Sequence, residues 1–111
     1  MPVKRKNILD VYRDFKKKDP SYASAFGDEQ FFTFYMTDAH RVHDALPDMP
    51  IERERYEYLK VHKLLFLSLA AKLQMLGVKT AMVARTKTPQ GNYTYSVSAR
   101  SDDGIEEGSA E

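Results

Sequence analysis

The stretch from Ile51 to Leu76, IERERYEYLKVHKLLFLSLAAKLQML, contains neither proline nor glycine and carries an apolar residue on almost every helical turn. It reads as one continuous helix. At 1.5 Å per residue such a rod is roughly 39 Å long, against a diameter of ~33 Å for a compact domain of this size, so the remaining elements must pack along it.

Along one side of that rod run Ile51, Tyr58, Leu59, His62, Leu65, Phe66, Leu69, Leu73 and Leu76, the side expected to face the core. His62, among leucines, reads as a buried, hydrogen-bonded imidazole. A second apolar row, Val61, Leu64, Leu67, Ala71 and Met75, lies on the far side, leaving Lys60, Lys63, Lys72 and Gln74 as the main polar positions there. A helix apolar on two faces needs two neighbours. The hairpin that follows supplies one candidate cover, and the same row of a second subunit supplies the other. Asp48 as cap, Pro50 in the first turn, and Glu52 and Glu54 at the positive dipole end mark the start, while Gly77 marks the stop.

Around this rod the chain divides simply. Residues 7–18, NILDVYRDFKKK, form a short helix capped by Asn7, with Ile8, Val11, Tyr12 and Phe15 as its apolar stripe. Residues 21–27, SYASAFG, read as a loop with Tyr22 and Phe26 turned onto the core. Residues 28–46 fit a single amphipathic helix with Phe31, Phe32, Tyr35, Met36, Ala39, Val42 and Leu46 on one face. The other reading makes FFTFYMT a strand and lets Asp38 cap a shorter helix from Ala39 to Leu46. The single helix is preferred because the periodicity persists over the whole segment.

After Gly77, residues 78–87 and 93–100 alternate on either side of Thr88-Pro89-Gln90-Gly91-Asn92, the signature of a β-hairpin. Strict alternation puts Lys79, Ala81, Val83, Arg85 and Lys87 on one face of its first strand. In the second strand it sets Tyr93, Tyr95, Val97 and Ala99 opposite Thr94, Ser96, Ser98 and Arg100. Residues 101–111, SDDGIEEGSAE, are expected to be a disordered acidic tail. The expected fold is therefore α+β: a single domain over residues 1–100 with three helices, the long one central, followed by a C-terminal hairpin.

A net charge of only +1 conceals four blocks of about +4, −5, +7 and −5, for residues 1–19, 20–59, 60–100 and 101–111. The third block has no acidic side chain. It contains the hairpin, so Lys79, Arg85, Lys87, Tyr93, Tyr95 and Arg100 form the candidate nucleic-acid-binding set, cations for phosphates and tyrosine rings for bases. The structural alternative is a solvated edge hairpin with its tyrosines packed on the long helix.

With no cysteine, the chain has no thiol chemistry, disulfide framework or zinc knuckle. The start, MPVKRKN, lacks a signal-peptide core, and the run Leu64 to Ala71 is too short to span a membrane, so a cytoplasmic protein without membrane contact is expected. His40 and His43, with Asp38 and Asp44 nearby, have a spacing compatible with a metal. The pair His43-Asp44 is similar to the motif of HD-type phosphohydrolases, which are larger and wholly helical. No phosphate loop, dinucleotide glycine pattern or serine elbow occurs. The expectation is a non-enzymatic protein without cofactor.

The element order, and the segment LQMLGVKTAMVARTKTPQGNYTYSVSAR in particular, resembles the recognition region and wing of winged-helix DNA-binding domains. The resemblance covers about a third of the chain, while the long helix is about twice the length of a recognition helix and PDMP does not supply the usual turn. It implies DNA contact through the wing; membership is not assigned. The expected function is thus nucleic-acid binding through the hairpin, with possible homodimerisation. The alternative is a protein-binding adaptor or inhibitor, for example a phage or plasmid product that blocks a host protein.

Overall fold

The computed structural model describes residues 8–101. Its elements run α1 (Ile8–Lys18), β1 (Tyr22–Gly27), β2 (Phe31–Tyr35), α2 (Met36–Ala45), β3 (Glu52–Arg53), β4 (Glu57–His62), α3 (Lys63–Met75), β5 (Lys79–Lys87) and β6 (Tyr93–Arg100). The strands form one six-stranded sheet in the order β3-β4-β2-β1-β5-β6, with β1 and β5 parallel and all other neighbours antiparallel. The α+β class, α1 and the C-terminal hairpin match expectation. The acidic tail beyond Ser101 and the Asn7 cap lie outside the described residues.

The long helix is not formed. Its first half is the short edge strand β3 and the strand β4, and only the second half, α3, is helical. In β4 the buried residues are Leu59 and Val61, spaced by two, while Lys60 and His62 are exposed. Leu59 pairs with Phe34 and Val61 with Phe32 across the ladder. Pairing with β2 extracts the two-residue period that a helical reading of the same apolar positions conceals. His62 is correspondingly not buried: it is the N-cap of α3, its Nδ1 accepting from the Leu64 amide at 3.2 Å. At the other end Gly77, at φ +87°, closes the helix as expected, with its own amide bonded to the Gln74 carbonyl and that of Val78 to Leu73.

The single helix over 28–46 is likewise replaced, by β2 and α2. Phe32 and Phe34 point to one side of the sheet and are buried, so an aromatic at nearly every position satisfied either period. Strand passes into helix without a linker, and Met36 absorbs the change of direction at φ +51°. Residues 22–27 are not a loop but β1, a central strand whose Ala23, Ser24, Ala25 and Phe26 are all buried. A strand covered on both faces shows no polar alternation, which is why its sequence looks featureless. Gly27 is required there, because a Cβ would lie 2.9 Å from the Phe32 ring.

Each face of the sheet has its own core. On one, Ala23, Ala25, Phe32, Phe34, Leu59 and Val61 meet Ala39 and Val42 of α2 and Phe66, Ala70 and Leu73 of α3. On the other, α1 lays Val11 and Tyr12 over Phe26 and Val83, with Phe15, Tyr35 and Tyr95 at the margin. The two layers are tied by a buried carboxylate. Asp38 is fully buried; its Oδ1 receives Lys16 Nζ at 2.8 Å and its Oδ2 the Ser24 amide at 3.0 Å, with Arg41 at 3.7 Å. The same ammonium donates to the carbonyls of Tyr22 and Pro20.

Replacing Lys16 by Met leaves the Asp38 carboxylate without its main counter-charge and is expected to cost about 3 kcal/mol in urea unfolding. Arg13→Ala, which removes an exposed pair with Asp10, should shift stability by less than ~0.5 kcal/mol. Equal effects of the two substitutions would contradict this assignment.

Candidate nucleic-acid interface

The ladder between β1 and β5 ends at Phe26 with Val83. Past that point β5 keeps only β6 as a neighbour, so residues 84–87 and 93–96 form a two-stranded arm that projects from the body of the sheet. It is closed by a turn in which the Gly91 amide bonds to the Thr88 carbonyl and Gly91 adopts φ +86°. In the arm Arg85 pairs with Tyr95 and Lys87 with Tyr93, which places all four side chains on the face that also carries α1. Arg85, Lys87 and Tyr93 are exposed and Tyr95 is half-buried. The Arg85 guanidinium sits 4.4 Å from the centre of the Tyr93 ring.

Lys79 and Arg100 share that face but not that place. A bulge between Met82 and Val83 shifts the register so that Arg100 pairs with Ala81, bringing it to the side of Tyr95 rather than the opposite side that strict alternation requires. Arg100 then lies 5.4 Å and Lys79 4.8 Å from the Tyr22 ring, and Arg100 bonds Asp19 at 2.9 Å. Six residues along β5, roughly 20 Å, separate Lys79 from Arg85. The candidate set therefore divides into an exposed group on the arm and a pair engaged with Tyr22 at the base of α1.

Beside the hairpin, the sheet brings in aromatic residues that the sequence pattern places in helices (Tyr35, Tyr56, Tyr58) and in a loop (Phe26). Tyr58 touches Tyr56, Tyr56 touches Tyr35, Tyr35 touches Phe26 and Phe26 touches Tyr95, each edge-on with centroids 5.4–6.1 Å apart. This row crosses the sheet from the β4 side to the arm. Beside it Lys60 lies 4.8 Å over the Phe31 ring, and His62 packs on the same ring. Phe31 and Arg85 also line a shallow open depression with Asp28, Glu29 and Gln30. Slight burial raises the Asp28 carboxyl, but the amides of Phe31 and Gln30, with Arg85 and Lys63 nearby, hold it below its usual range. The signal that finds β4 is the alternation of Leu59, Lys60, Val61 and His62 in EYLKVH, whereas FFTFY, aromatic at nearly every position, carries none.

The two histidines of α2 turn to separate partners. His40 Nε2 lies 2.9 Å from Glu57 Oε1, and His43 Nδ1 lies 2.7 Å from the Met49 carbonyl. The contact with His40, with Arg53 also close, lowers Glu57 from the ordinary glutamate range. Among the described residues no group of three or more histidine, aspartate or glutamate side chains is placed to hold a metal. Among the same residues no helix is long and apolar enough to cross a membrane.

Burial, then the neighbouring Tyr56, pushes the Tyr35 hydroxyl up to about 12. A phenol whose folded pKa lies above its unfolded value favours the folded state below pH ~10, and that contribution fades as pH rises through the folded value. A tyrosinate absorbance titration should show a late component near pH 12 that Tyr35→Phe removes; titration of all the tyrosines together near pH ~10 would contradict the placement.

No model of a protein family matches this sequence and no curated protein matches it, so the functional reading rests on the geometry of the chain itself.

Proposed function

We propose that this chain is a non-enzymatic binding protein that takes nucleic acid along the face bearing the arm. Arg85 and Lys87 neutralise phosphates there, and Tyr93 and Tyr95 offer their rings to bases. The observation that carries the reading is the grouping of Arg85, Lys87 and Tyr93 on one exposed side of a ribbon that projects beyond the sheet. Lys79 and Arg100 extend the positive potential but give up part of their contact capacity to Tyr22 and Asp19. The exposed ring of Tyr93 favours a single strand, since unpaired bases expose the faces that stack on aromatic side chains.

A second reading, a protein-binding adaptor or inhibitor, is favoured by a different observation. The outward side of α3 leaves Leu64, Leu67 and Met75 largely exposed, a surface suited to protein and not to phosphates.

Fluorescence anisotropy with labelled mixed-sequence single strands and duplexes tests the first reading. Binding should weaken steeply with salt, and Arg85→Glu with Lys87→Glu should abolish it; neutralising the same two positions to Ala should flatten the log–log salt slope by about 1.4. Tyr93→Ala should cost about 1–3 kcal/mol. Absence of binding at low salt, or binding indifferent to salt and to these substitutions, would overturn it, and a stable complex with another protein would then favour the adaptor.

A further inference from the structure

α3 buries Phe66, Ala70 and Leu73 against the sheet and leaves its opposite side uncovered. There Leu64 is 85% exposed, Leu67 72% and Met75 87%, with Leu65 and Leu76 at the edges and Ala71 between them. The hairpin, one of the two covers the sequence suggests, does not lie over this row: it extends the sheet from the β1 side. The strip is made by the helix itself and is not a by-product of a loop.

We infer that a second copy of this chain covers the strip, α3 packing antiparallel on α3 about a two-fold axis between Leu69 and Ala70. The strip is self-complementary when reversed. Leu64 then falls opposite Met75 of the other copy and Ser68 opposite Ala71, with Leu67 along one flank of the contact and the aliphatic stem of Lys72 along the other. The small pair at the middle lets the helix axes approach to the close end of the usual range, about 8 Å, while the large residues interdigitate at either end.

The exposed apolar side chains amount to roughly 600 Å² per copy, so a contact that covered all of them on both copies would bury about 1,200 Å², the lower bound of stable interfaces. A patch of that size is also at the limit of what monomers leave in water. An acidic partner is not needed to balance the rim, since α3 carries only Lys63 and Lys72 as charges. α3 covers the sheet face opposite α1, so pairing leaves both arms facing outward and free.

Sedimentation velocity on the full chain is expected to show twice the 12.8 kDa monomer mass, and at roughly 100 μM a Kd of about 1 μM leaves little monomer. Leu67→Glu should restore the monomer with unchanged circular dichroism, because Leu67 makes no core contact, and Leu64→Lys should do the same. The chain has no cysteine of its own, so single introduced thiols report the direction: Leu64→Cys chains should cross-link to Met75→Cys chains through a short bis-maleimide and not to each other. A wild-type chain that stays monomeric, a dimer that survives both charge substitutions, or linkage of Leu64→Cys to itself would each overturn the inference.

Discussion

The carboxylate of Asp38 holds the layers together. It sits where β2 has turned into α2 and can no longer pair with β1, and its Oδ2 takes the Ser24 amide that the departing strand leaves behind. A buried anion of this kind is tolerable only if fully compensated, and Lys16 supplies the charge from the helix on the other side of the sheet. One ammonium thereby joins α1 to α2 and, through the carbonyls of Pro20 and Tyr22, to the start of β1. Among the described residues no buried side-chain polar atom lacks a partner, so the polar junction is closed while the apolar layers pack on either side.

That junction lets the two faces of the sheet differ. Under α2 and α3 the face is mainly apolar, with the Phe32 and Phe66 rings 4.2 Å apart at its centre and Thr80 as a buried polar member beside Ala23. Under α1 the cover is one short helix, and the face beyond it displays tyrosines, Phe31 and lysines in place of a continuous core. Aromatic side chains suit such a half-covered surface because their rings add packing while their hydroxyls stay hydrated. The arm continues this surface past the last strand of the body. The proposals of recognition on the α1 side and self-association on the α3 side both draw on this contrast between a closed face and an open one.

Much of the local structure could be read from the residues. The α1 stripe of Val11 and Tyr12, the stop at Gly77 and the turn at Thr88–Asn92 each depend on neighbours a few positions away, and each appears where expected. The long helix and the helix over 28–46 failed for a common reason. β4 and β2 select each other across Phe34 with Leu59 and Phe32 with Val61, and that preference belongs to the pair rather than to either segment. β1 was harder still, since its parallel partner β5 lies more than fifty residues along the chain.

Of the candidate contact residues, the sequence on its own identified the chemistry: a stretch free of acidic side chains, with tyrosines alternating along a hairpin. Only the tertiary structure decided their company. One bulge moved Arg100 to the side of Tyr22 and Asp19, and the end of β1 left Arg85, Lys87 and Tyr93 projecting together. Residue type is a local property that a chain carries wherever it goes, whereas register and the ends of neighbouring strands are set by contacts between distant segments.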